Sequence, residues 1–263
     1  MRFPRQLVRI PVLALIAAAL WPLAPAQAQE HERACNDTAK LARLSAPLPH
    51  MARRVAADRP LTILALGSSS TAGAGASSPA ASYPSRLAVE LKALFPDLAV
   101  TVLNRGVNGE EATDMLARFD KSAASDKPDV VLWQLGTNSV LRDRPLDHYE
   151  EIIRQGLARM KAVGADVVLI DPQFAPKVIA RPEAEEMISL IAAAAMKRGV
   201  DLFPRFAIMR AWHETEAIPF EGFLAPDQLH MNDWGYGCLA KLIGGALAEA
   251  ATRPIAAARA IAR

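Results

Sequence analysis

Leu61-Thr62-Ile63-Leu64-Ala65-Leu66 runs directly into Gly67-Ser68-Ser69-Ser70-Thr71-Ala72-Gly73, so an apolar, β-branched run ends abruptly in glycine and hydroxyl side chains. In an open α/β sheet, ligands bind at the carboxyl ends of the strands. A hydroxyl in the first turn after a buried strand is therefore well placed for chemistry. Serine and glycine together also form ordinary turns, so this stretch alone supports either interpretation.

Four later runs share the short, apolar character of this first run and lack strict alternation, which is typical of strands buried on both faces. The five predicted strands are Leu61–Leu66, Ala99–Leu103, Val130–Leu135, Asp166–Ile170 and Val200–Phe203. Helical patterns lie at Ser82–Phe95, Glu111–Phe119, Leu146–Val163, Arg181–Arg198 and Asp233–Ala251, the last with Asp233 as its predicted N-cap. This alternation predicts an α/β fold with a parallel sheet covered on both faces through right-handed crossovers.

The N-terminus has the pattern of a secretory signal peptide. Residues 1–9 carry three arginines, Ile10–Leu20 is apolar, and Ala26-Gln27-Ala28 is a small-residue cleavage signal. The apolar run is shorter than the roughly 20 residues of a membrane-spanning helix. We therefore expect cleavage near Ala28 and an exported, periplasmic or secreted protein without a stable membrane span; an uncleaved N-terminal anchor is the alternative.

Four segments are predicted. They are the signal peptide (1–28), an irregular N-terminal arm (29–60) with one short helix at 37–44, one main domain (61–252) and a C-terminal tail (253–263). The chain has 30 basic and 28 acidic residues, and three of the arginines lie in the signal peptide, which leaves 27 basic and 28 acidic side chains. It has no basic run interleaved with aromatic residues, so we expect no nucleic-acid partner.

Two cysteines, Cys35 and Cys238, lie near opposite ends of the chain after the signal peptide. In an oxidising compartment this pair could join the N-terminal arm to the last helix. A free Cys35 and a buried Cys238 are the alternative, because the sequence does not supply the Cα distance that decides a disulfide. The pair forms no Cys-x-x-Cys motif, so it gives no reason to expect a metal site.

Two glycine- and asparagine-containing stretches follow the second and third predicted strands. In Asn104–Glu111, Gly109 allows close approach of the backbone to a ligand and directs an N–H toward it. In Gln134–Ser139, Asn138 lies just past the strand and can direct its side-chain NH₂ into the same crevice. Each stretch taken alone also fits a turn.

His230 is the histidine whose surroundings suit catalysis. It lies in the stretch Ala225–Asn232, directly before the last helix, with Asp227 three residues upstream. A tight turn at this spacing brings the carboxylate to the imidazole Nδ1 and leaves Nε2 free to face the site. The remaining histidines are His31 and His50 outside the strand–helix core, His148 at the start of the third helix, and His213 in a segment that we interpret as irregular.

These residues together supply what a serine nucleophile needs. A serine hydroxyl is a poor nucleophile at neutral pH and needs a neighbouring base, and the base needs an orienting carboxylate. The developing oxyanion needs fixed hydrogen-bond donors. Ser69, His230 and Asp227 fit the first three roles, and the N–H groups of Ser69 and Gly109 with the Asn138 side chain fit the last.

The chain resembles the SGNH hydrolases, the GDSL-type esterase/lipase superfamily, whose four sequence blocks carry Ser, Gly, Asn and His in this order. The four matching blocks here are Gly67–Thr71, Asn104–Gly109, Gly136–Ser139 and Asp227–His230, and the resemblance extends from about Leu61 to Ala248. It implies a three-layer α/β/α, flavodoxin-like sandwich with a five-stranded parallel sheet. It also implies ester hydrolysis through an acyl-enzyme on Ser69, without a metal or organic cofactor.

Three positions depart from the family pattern. Ser68 stands where the first block usually has Asp, Ser139 where Asp often follows the Asn, and Met231 where Pro commonly follows the His. We expect these differences to change local hydrogen bonding rather than the reaction. Ser68 and Ser70 are rival nucleophiles, and the alignment of the block favours Ser69.

The substrate is less strongly indicated than the reaction. The linkers 73–82 and 205–225 are predicted pocket walls, and in the second we single out Trp212, His213 and Phe223 as candidate substrate contacts, with core packing as the alternative. We expect a short-chain, first of all acetyl, ester on a small molecule or carbohydrate. The alternatives are a lysophospholipase or thioesterase, an acyltransferase to a glycan, and a glycan-binding module on a decayed esterase scaffold.

Overall fold

The centre of the structure, a computed structural model that describes residues 24–253, is a parallel β-sheet. Its strands are β1 (Leu61–Gly67), β2 (Val100–Gly106), β3 (Val130–Gln134), β4 (Asp166–Ile170) and β5 (Asp201–Phe203). They pair in the order β2-β1-β3-β4-β5, and every pairing is parallel. The predicted five-stranded parallel sheet is confirmed, and each strand overlaps the run from which it was predicted.

Burial explains why the central strands lack alternation. Every residue of β3 and β4 is buried, and β1 is buried except at Thr62. The edge strand β2 is partly exposed along its length. Side chains on both faces of the central strands therefore lie in the core, and the sequence there needs no polar face.

Helices cover both faces of this sheet. In chain order they are α1 (Ala24–Asp37), α2 (Pro49–Ala56), α3 (Ser69–Ala72), α4 (Tyr83–Leu94), α5 (Ala112–Asp126), α6 (Thr137–Leu141), α7 (Tyr149–Ala162), α8 (Pro176–Ile179), α9 (Ala184–Arg198), α10 (Arg205–Glu214), α11 (Phe220–Phe223) and α12 (Asp233–Thr252). α12 packs against α4 and α2, whereas α7 packs against α5 and α9. This is the predicted three-layer α/β/α arrangement.

The strand order places a topological switch point beside β1. The chain leaves β1 toward β2 on one side and later returns to β3 on the other side. In sheets of this order, the carboxyl ends of the strands on either side of the switch point enclose a crevice. The segments that follow β1, β2 and β3 therefore meet at one edge of the sheet.

The N-terminal arm is helical, so its prediction as irregular is wrong. It contains α1, a short 3₁₀ helix at Ala39–Ala42 within the predicted helix 37–44, and α2. Carboxylates at the start of two strands hold the segment in place. Asp166 accepts hydrogen bonds from the N–H groups of His50 and Met51 in the first turn of α2 (both 2.9 Å), and Asp201 accepts one from the N–H of Ser45 (2.7 Å). These partners are more than a hundred residues away, so local sequence does not reveal them.

The last helix begins at Asp233, as predicted, but its predicted N-cap is wrong. Asn232, rather than Asp233, is the N-cap, and its side chain accepts a hydrogen bond from the N–H of Gly235 (3.0 Å). Asp233 instead accepts from the N–H (2.8 Å) and the hydroxyl (2.5 Å) of Ser77. The carboxylate thereby fixes the loop after α3 to the start of α12.

A disulfide bond joins Cys35 of α1 to Cys238 of α12, with their Cα atoms 5.7 Å apart. Of the two alternatives that the sequence left open, the structure contains the bonded one.

The predicted signal peptide lies mostly outside the described residues, as does the tail beyond Arg253, and α1 continues past the expected cleavage point at Ala28. In the range 24–253, no helix is long and apolar enough to cross a membrane.

Candidate active site

Ser69 is the first residue of α3, immediately beyond the end of β1. Two glycines allow this tight turn from strand to helix. A Cβ on Gly106 at the end of β2 would lie 2.1 Å from the backbone N of Ala72, and one on Gly67 would lie 2.1 Å from Oγ1 of Thr71. The first N–H of a helix has no partner within the helix, so that of Ser69 can point into the crevice.

Burial and hydrogen bonding separate Ser69 from its two serine neighbours. Ser68 is buried, and both its N–H (2.9 Å) and its hydroxyl (3.1 Å) donate to Oε1 of Gln134. Ser70 is also buried, and its Oγ accepts a hydrogen bond from Nη1 of Arg205 (3.1 Å). Ser69 is partly exposed. Where the family's usual Asp would stand, Ser68 thus bonds to the end of β3.

Ser69, His230 and Asp227 form one hydrogen-bonded chain. The Ser69 Oγ lies 2.8 Å from Nε2 of His230, and Nδ1 of His230 lies 2.5 Å from Oδ2 of Asp227. With Nδ1–H donating to the carboxylate, Nε2 is left to accept the serine proton, a tautomer assigned from this network. The structure therefore brings together the three residues that the sequence predicted as a triad.

The turn between Asp227 and His230 is held by the same carboxylate. Its Oδ1 accepts hydrogen bonds from the N–H groups of Leu229 (3.0 Å) and His230 (2.9 Å). Partial burial acts to raise the pKa of Asp227, but the hydrogen bonds from His230 and the backbone outweigh it, so the pKa lies below its ordinary value. Asp227 is therefore ionised at neutral pH, where its carboxylate can orient the imidazole of His230.

Gly109 and Asn138 lie in the segments that follow β2 and β3, and Asn138 bonds to the residue next to Gly109. Gly109 has φ +80°, and among residues 24–253 no acceptor takes its N–H. Nδ2 of Asn138 donates to the carbonyl of Glu110 (2.7 Å), which leaves its second amide hydrogen available. Nη2 of Arg142 donates to the carbonyl of Gly109 (2.8 Å). Two donors on α6 and its C-cap thus fix the loop that carries Gly109.

A buried arginine lies directly behind the serine turn. Arg205 is fully buried; its Nε donates to the carbonyl of Asp171 (2.9 Å), and its Nη2 has no partner among the described residues. Burial lowers the pKa of Arg205 to about 10, and burial raises the pKa of Asp171 to about 7. Two tyrosines complete this layer: Tyr83 bonds to Thr71 (3.2 Å), and Tyr236 donates to the carbonyl of Ala74 (2.6 Å).

Gln134, Arg142 and Arg205 are site residues that the sequence analysis missed. Gln134 and Arg205 left a signal in the sequence, because each is a polar residue at or just past the end of an apolar strand. Arg142 left none, since its partner Gly109 lies 33 residues away.

Two of the three candidate substrate contacts lie in the core. Trp212 and Phe223 are both 0% exposed, and Nε1 of Trp212 donates to Oγ1 of Thr38 (3.0 Å). Their side chains therefore cannot reach a substrate in this conformation, and the core-packing alternative holds for both. His213 is partly buried, its Nδ1 lies 2.9 Å from the carbonyl oxygen of Ile218, and its ring stacks on Phe220 at 4.0 Å.

The segment 205–225 is largely helical, not the long irregular wall that the sequence predicted. It forms α10 and α11, because residues spaced three apart, namely Phe206, Met209 and Trp212, turn one apolar face to the core. The other predicted wall, 73–82, begins in a left-handed turn at Gly73. Within residues 24–253, no group of three or more His, Cys, Asp or Glu side chains is arranged to hold a metal ion.

The chain belongs to the Non-GDSL lipase-like family, whose model matches residues 34–253. An acetylxylan esterase from Geobacillus stearothermophilus is 31% identical over 94 residues, which cover 32% of this chain and 43% of that protein. The chain therefore matches less than half the length of this curated relative.

Solved structures with the same fold include several esterases. A two-domain esterase active on acetylated mannans, crystallised with mannopentaose, superposes with a TM-score of 0.66 at 23% identity, covering 81% of this chain and 55% of that one. An acetyl-xylooligosaccharide esterase from Geobacillus stearothermophilus gives 0.61 at 21% identity, covering 71% and 94%. A lipase/acylhydrolase from Enterococcus faecalis gives 0.58 at 24% identity, covering 72% and 95%. At these identities the likeness establishes the fold.

Proposed function

We propose that this protein is a serine carboxylesterase that removes a short acyl group, first of all acetyl, from a carbohydrate. The observation that carries the proposal is the continuous chain from Ser69 Oγ through His230 to Asp227, with distances of 2.8 and 2.5 Å. A partly exposed serine bonded to a histidine, which is in turn bonded to a carboxylate, is the arrangement that activates a hydroxyl for acyl transfer.

In the proposed reaction, Nε2 of His230 takes the proton of Ser69 while Oγ forms a bond to the ester carbonyl carbon. The negative charge on the carbonyl oxygen is met by the N–H groups of Ser69 and Gly109 and by the Asn138 amide. The imidazolium then gives its proton to the alcohol oxygen as the carbon–oxygen bond breaks, which leaves the acyl group on Ser69. Water repeats the sequence with His230 as base, and the carboxylic acid is released.

The relatives support the carbohydrate part of this proposal. The curated relative is an acetylxylan esterase, and two of the similar structures are esterases that act on acetylated mannan and on acetyl-xylooligosaccharide. Their shared chemistry is the removal of acetyl from a sugar hydroxyl. We therefore take an O-acetylated glycan as the first substrate class to test.

The test is acetate release from acetylated xylo- and manno-oligosaccharides, beside hydrolysis of p-nitrophenyl esters from acetyl to long-chain. We expect acetate release and a rate on p-nitrophenyl esters that falls as the acyl chain lengthens. A rate that rises with chain length would instead favour a lipolytic hydrolase or thioesterase, and acetyl transfer to a sugar acceptor would favour a transferase. Inactivity on every ester would favour a glycan-binding module.

We also propose that the protein is exported. The support is the signal-peptide pattern of residues 1–28 together with the disulfide between Cys35 and Cys238, since such bonds persist mainly in oxidising compartments. The intact mass of the protein from the periplasmic or secreted fraction tests this proposal. We expect a chain that begins at Gln29; a full-length chain confined to the cytoplasm would contradict it.

A further inference from the structure

A groove of about 540 Å³ lies beside the turn that carries Asp227 and His230. Pro226 and Gln228, the residues on either side of Asp227, line it together with Phe220 and Glu221 of α11. The groove is lined by residues of both segments that the sequence predicted as pocket walls, 73–82 and 205–225, and the proposed reaction does not use it.

The groove adjoins the turn that carries the triad. Gly75 lines it with φ +87°, a left-handed conformation that favours glycine. A Cβ at this position would lie 2.9 Å from Cβ of His230 and 2.6 Å from the carbonyl oxygen of Met231. The wall of the groove and the catalytic histidine are therefore in direct contact, so a ligand in the groove lies next to the triad turn.

Phe220 gives the groove an aromatic surface that is fixed in advance. Its ring is partly exposed and stacks on His213, with centroids 4.0 Å apart and an interplanar angle of 23°. Phe174 lies at 5.8 Å with its ring inclined by 26°. A ring held in this way loses little freedom when a ligand packs against it. The C–H groups of a sugar ring pack well on such a surface, since the face of an aromatic ring carries partial negative charge.

The charge of the groove favours a neutral ligand. Among the described residues that line it, Glu221 is the one that is charged, and its carboxylate is exposed. Gln228, whose backbone φ is +59°, adds an exposed side-chain amide. This amide can both donate and accept hydrogen bonds. A carboxylate without a basic neighbour in the groove repels a uronic acid, whereas hydroxyl groups can bond to the carboxylate and the amide.

We propose that this groove is a subsite for the neutral sugar units adjacent to the acetylated sugar, with Phe220 as its stacking surface. The inference rests on the proposed function and adds to it, because it assigns an oligosaccharide rather than a free monosaccharide as the substrate. It also moves the aromatic contact from Trp212 and Phe223, which are buried, to a neighbouring ring that faces an open space.

The experiment is calorimetric titration of the Ser69→Ala protein with acetylated xylo- and manno-oligosaccharides, so that binding is measured without turnover. Phe220→Leu in that background keeps apolar volume but removes the ring, and we expect it to weaken binding about 10-fold. Phe220→Trp keeps an aromatic surface and should bind like the parent. Phe95→Leu is the matched control, a partly buried ring at the far end of α4, and it should leave binding unchanged.

The possible outcomes distinguish failure of the subsite proposal from failure of the proposed function. Undetectable binding to the Ser69→Ala protein, or equal affinity in the Phe220→Leu and Phe95→Leu proteins, overturns the subsite. An acetylated oligogalacturonide that binds as tightly as the neutral oligosaccharides overturns its preference for neutral sugars. Failure of the unmodified protein to release acetate from an oligosaccharide that binds in a Phe220-dependent way overturns the proposed function and leaves the subsite in place.

Discussion

Nη1 of Arg205 donates a 3.1 Å hydrogen bond to Oγ of Ser70, the residue next to the proposed nucleophile. The guanidinium is fully buried, and its Nη2 finds no partner among the described residues. Such a group costs stability, because a buried charge needs complete hydrogen bonding to offset its lost hydration. The arrangement is understandable if the arginine holds the serine turn in its working geometry.

Arg205→Met is therefore expected to lower kcat by roughly 10- to 100-fold while KM changes little, since the serine turn loses its support. The melting temperature should change little, because the substitution removes a buried charge with an unpartnered Nη2 but also the charge that faces the buried Asp171. Arg205→Lys, which keeps the charge and one donor nitrogen, should recover part of kcat. Kinetics and thermal unfolding of the three proteins check this, and an unchanged kcat in folded Arg205→Met protein would contradict it.

Asn138→Ala should slow turnover of p-nitrophenyl acetate by roughly 100-fold or more if its amide meets the oxyanion. The amide is fixed by its 2.7 Å bond to the carbonyl of Glu110, so the second hydrogen is already oriented in the ground state. Asn36→Ala, an exposed asparagine on α1, is the matched control. A near-normal rate in Asn138→Ala would remove this residue from the oxyanion hole.

Asp171 should make stability depend on pH. Burial raises its pKa to about 7, whereas an aspartate in an unfolded chain titrates near about 4. Between these values the folded protein retains a proton that the unfolded chain has lost, so stability falls as the pH rises through this range.

Asp171→Asn removes that titration but keeps an acceptor for the N–H of Phe206, which now lies 2.9 Å from Oδ1. We expect its melting temperature to exceed that of the unmodified protein by more at pH 8 than at pH 5. Thermal unfolding at both pH values measures the difference, with the exposed Asp97→Asn as control. An equal difference at the two pH values would show that ionisation of Asp171 is not the cause.

The Cys35–Cys238 bond closes a loop of 203 residues. Removing a crosslink of this length by replacing both cysteines with serine should lower the free energy of unfolding by roughly 3–5 kcal/mol. Thiol titration of the denatured, unreduced protein should find no free thiol. Denaturant unfolding of the two proteins measures the difference in the free energy of unfolding. Two titratable thiols in the unmodified protein would show that Cys35 and Cys238 are not bonded.

Much of the fold follows from local pattern. The sheet could be predicted because β1, β3 and β4 are apolar on both faces, and because glycine ends the long helices α7 and α9 or follows them closely. The triad residues were identified by their places at a strand end and before the last helix. Only Asp227 and His230 are close in sequence, so the meeting with Ser69 depends on the topology.

Long-range contacts account for the predictions from the sequence that were wrong. The N-terminal helices depend on carboxylates of distant strands, as the bond from His50 to Asp166 illustrates. The choice of Asn232 over Asp233 as N-cap depends on Ser77, which engages the carboxylate from another loop. Whether an aromatic residue such as Trp212 fills the core or faces a ligand is decided by packing between α10 and the N-terminal segment, and composition does not reveal it.

The measurement that tests the central claim most directly compares hydrolysis of p-nitrophenyl acetate by the unmodified protein with that by its Ser68→Ala, Ser69→Ala and Ser70→Ala variants. Mass analysis of the rapidly quenched reaction locates any trapped acetyl group. We predict that Ser69→Ala alone loses activity by roughly 10⁴-fold or more, and that the acetyl group of the unmodified protein is found on Ser69. Full activity in Ser69→Ala, or an acetyl group on another residue, would contradict the account.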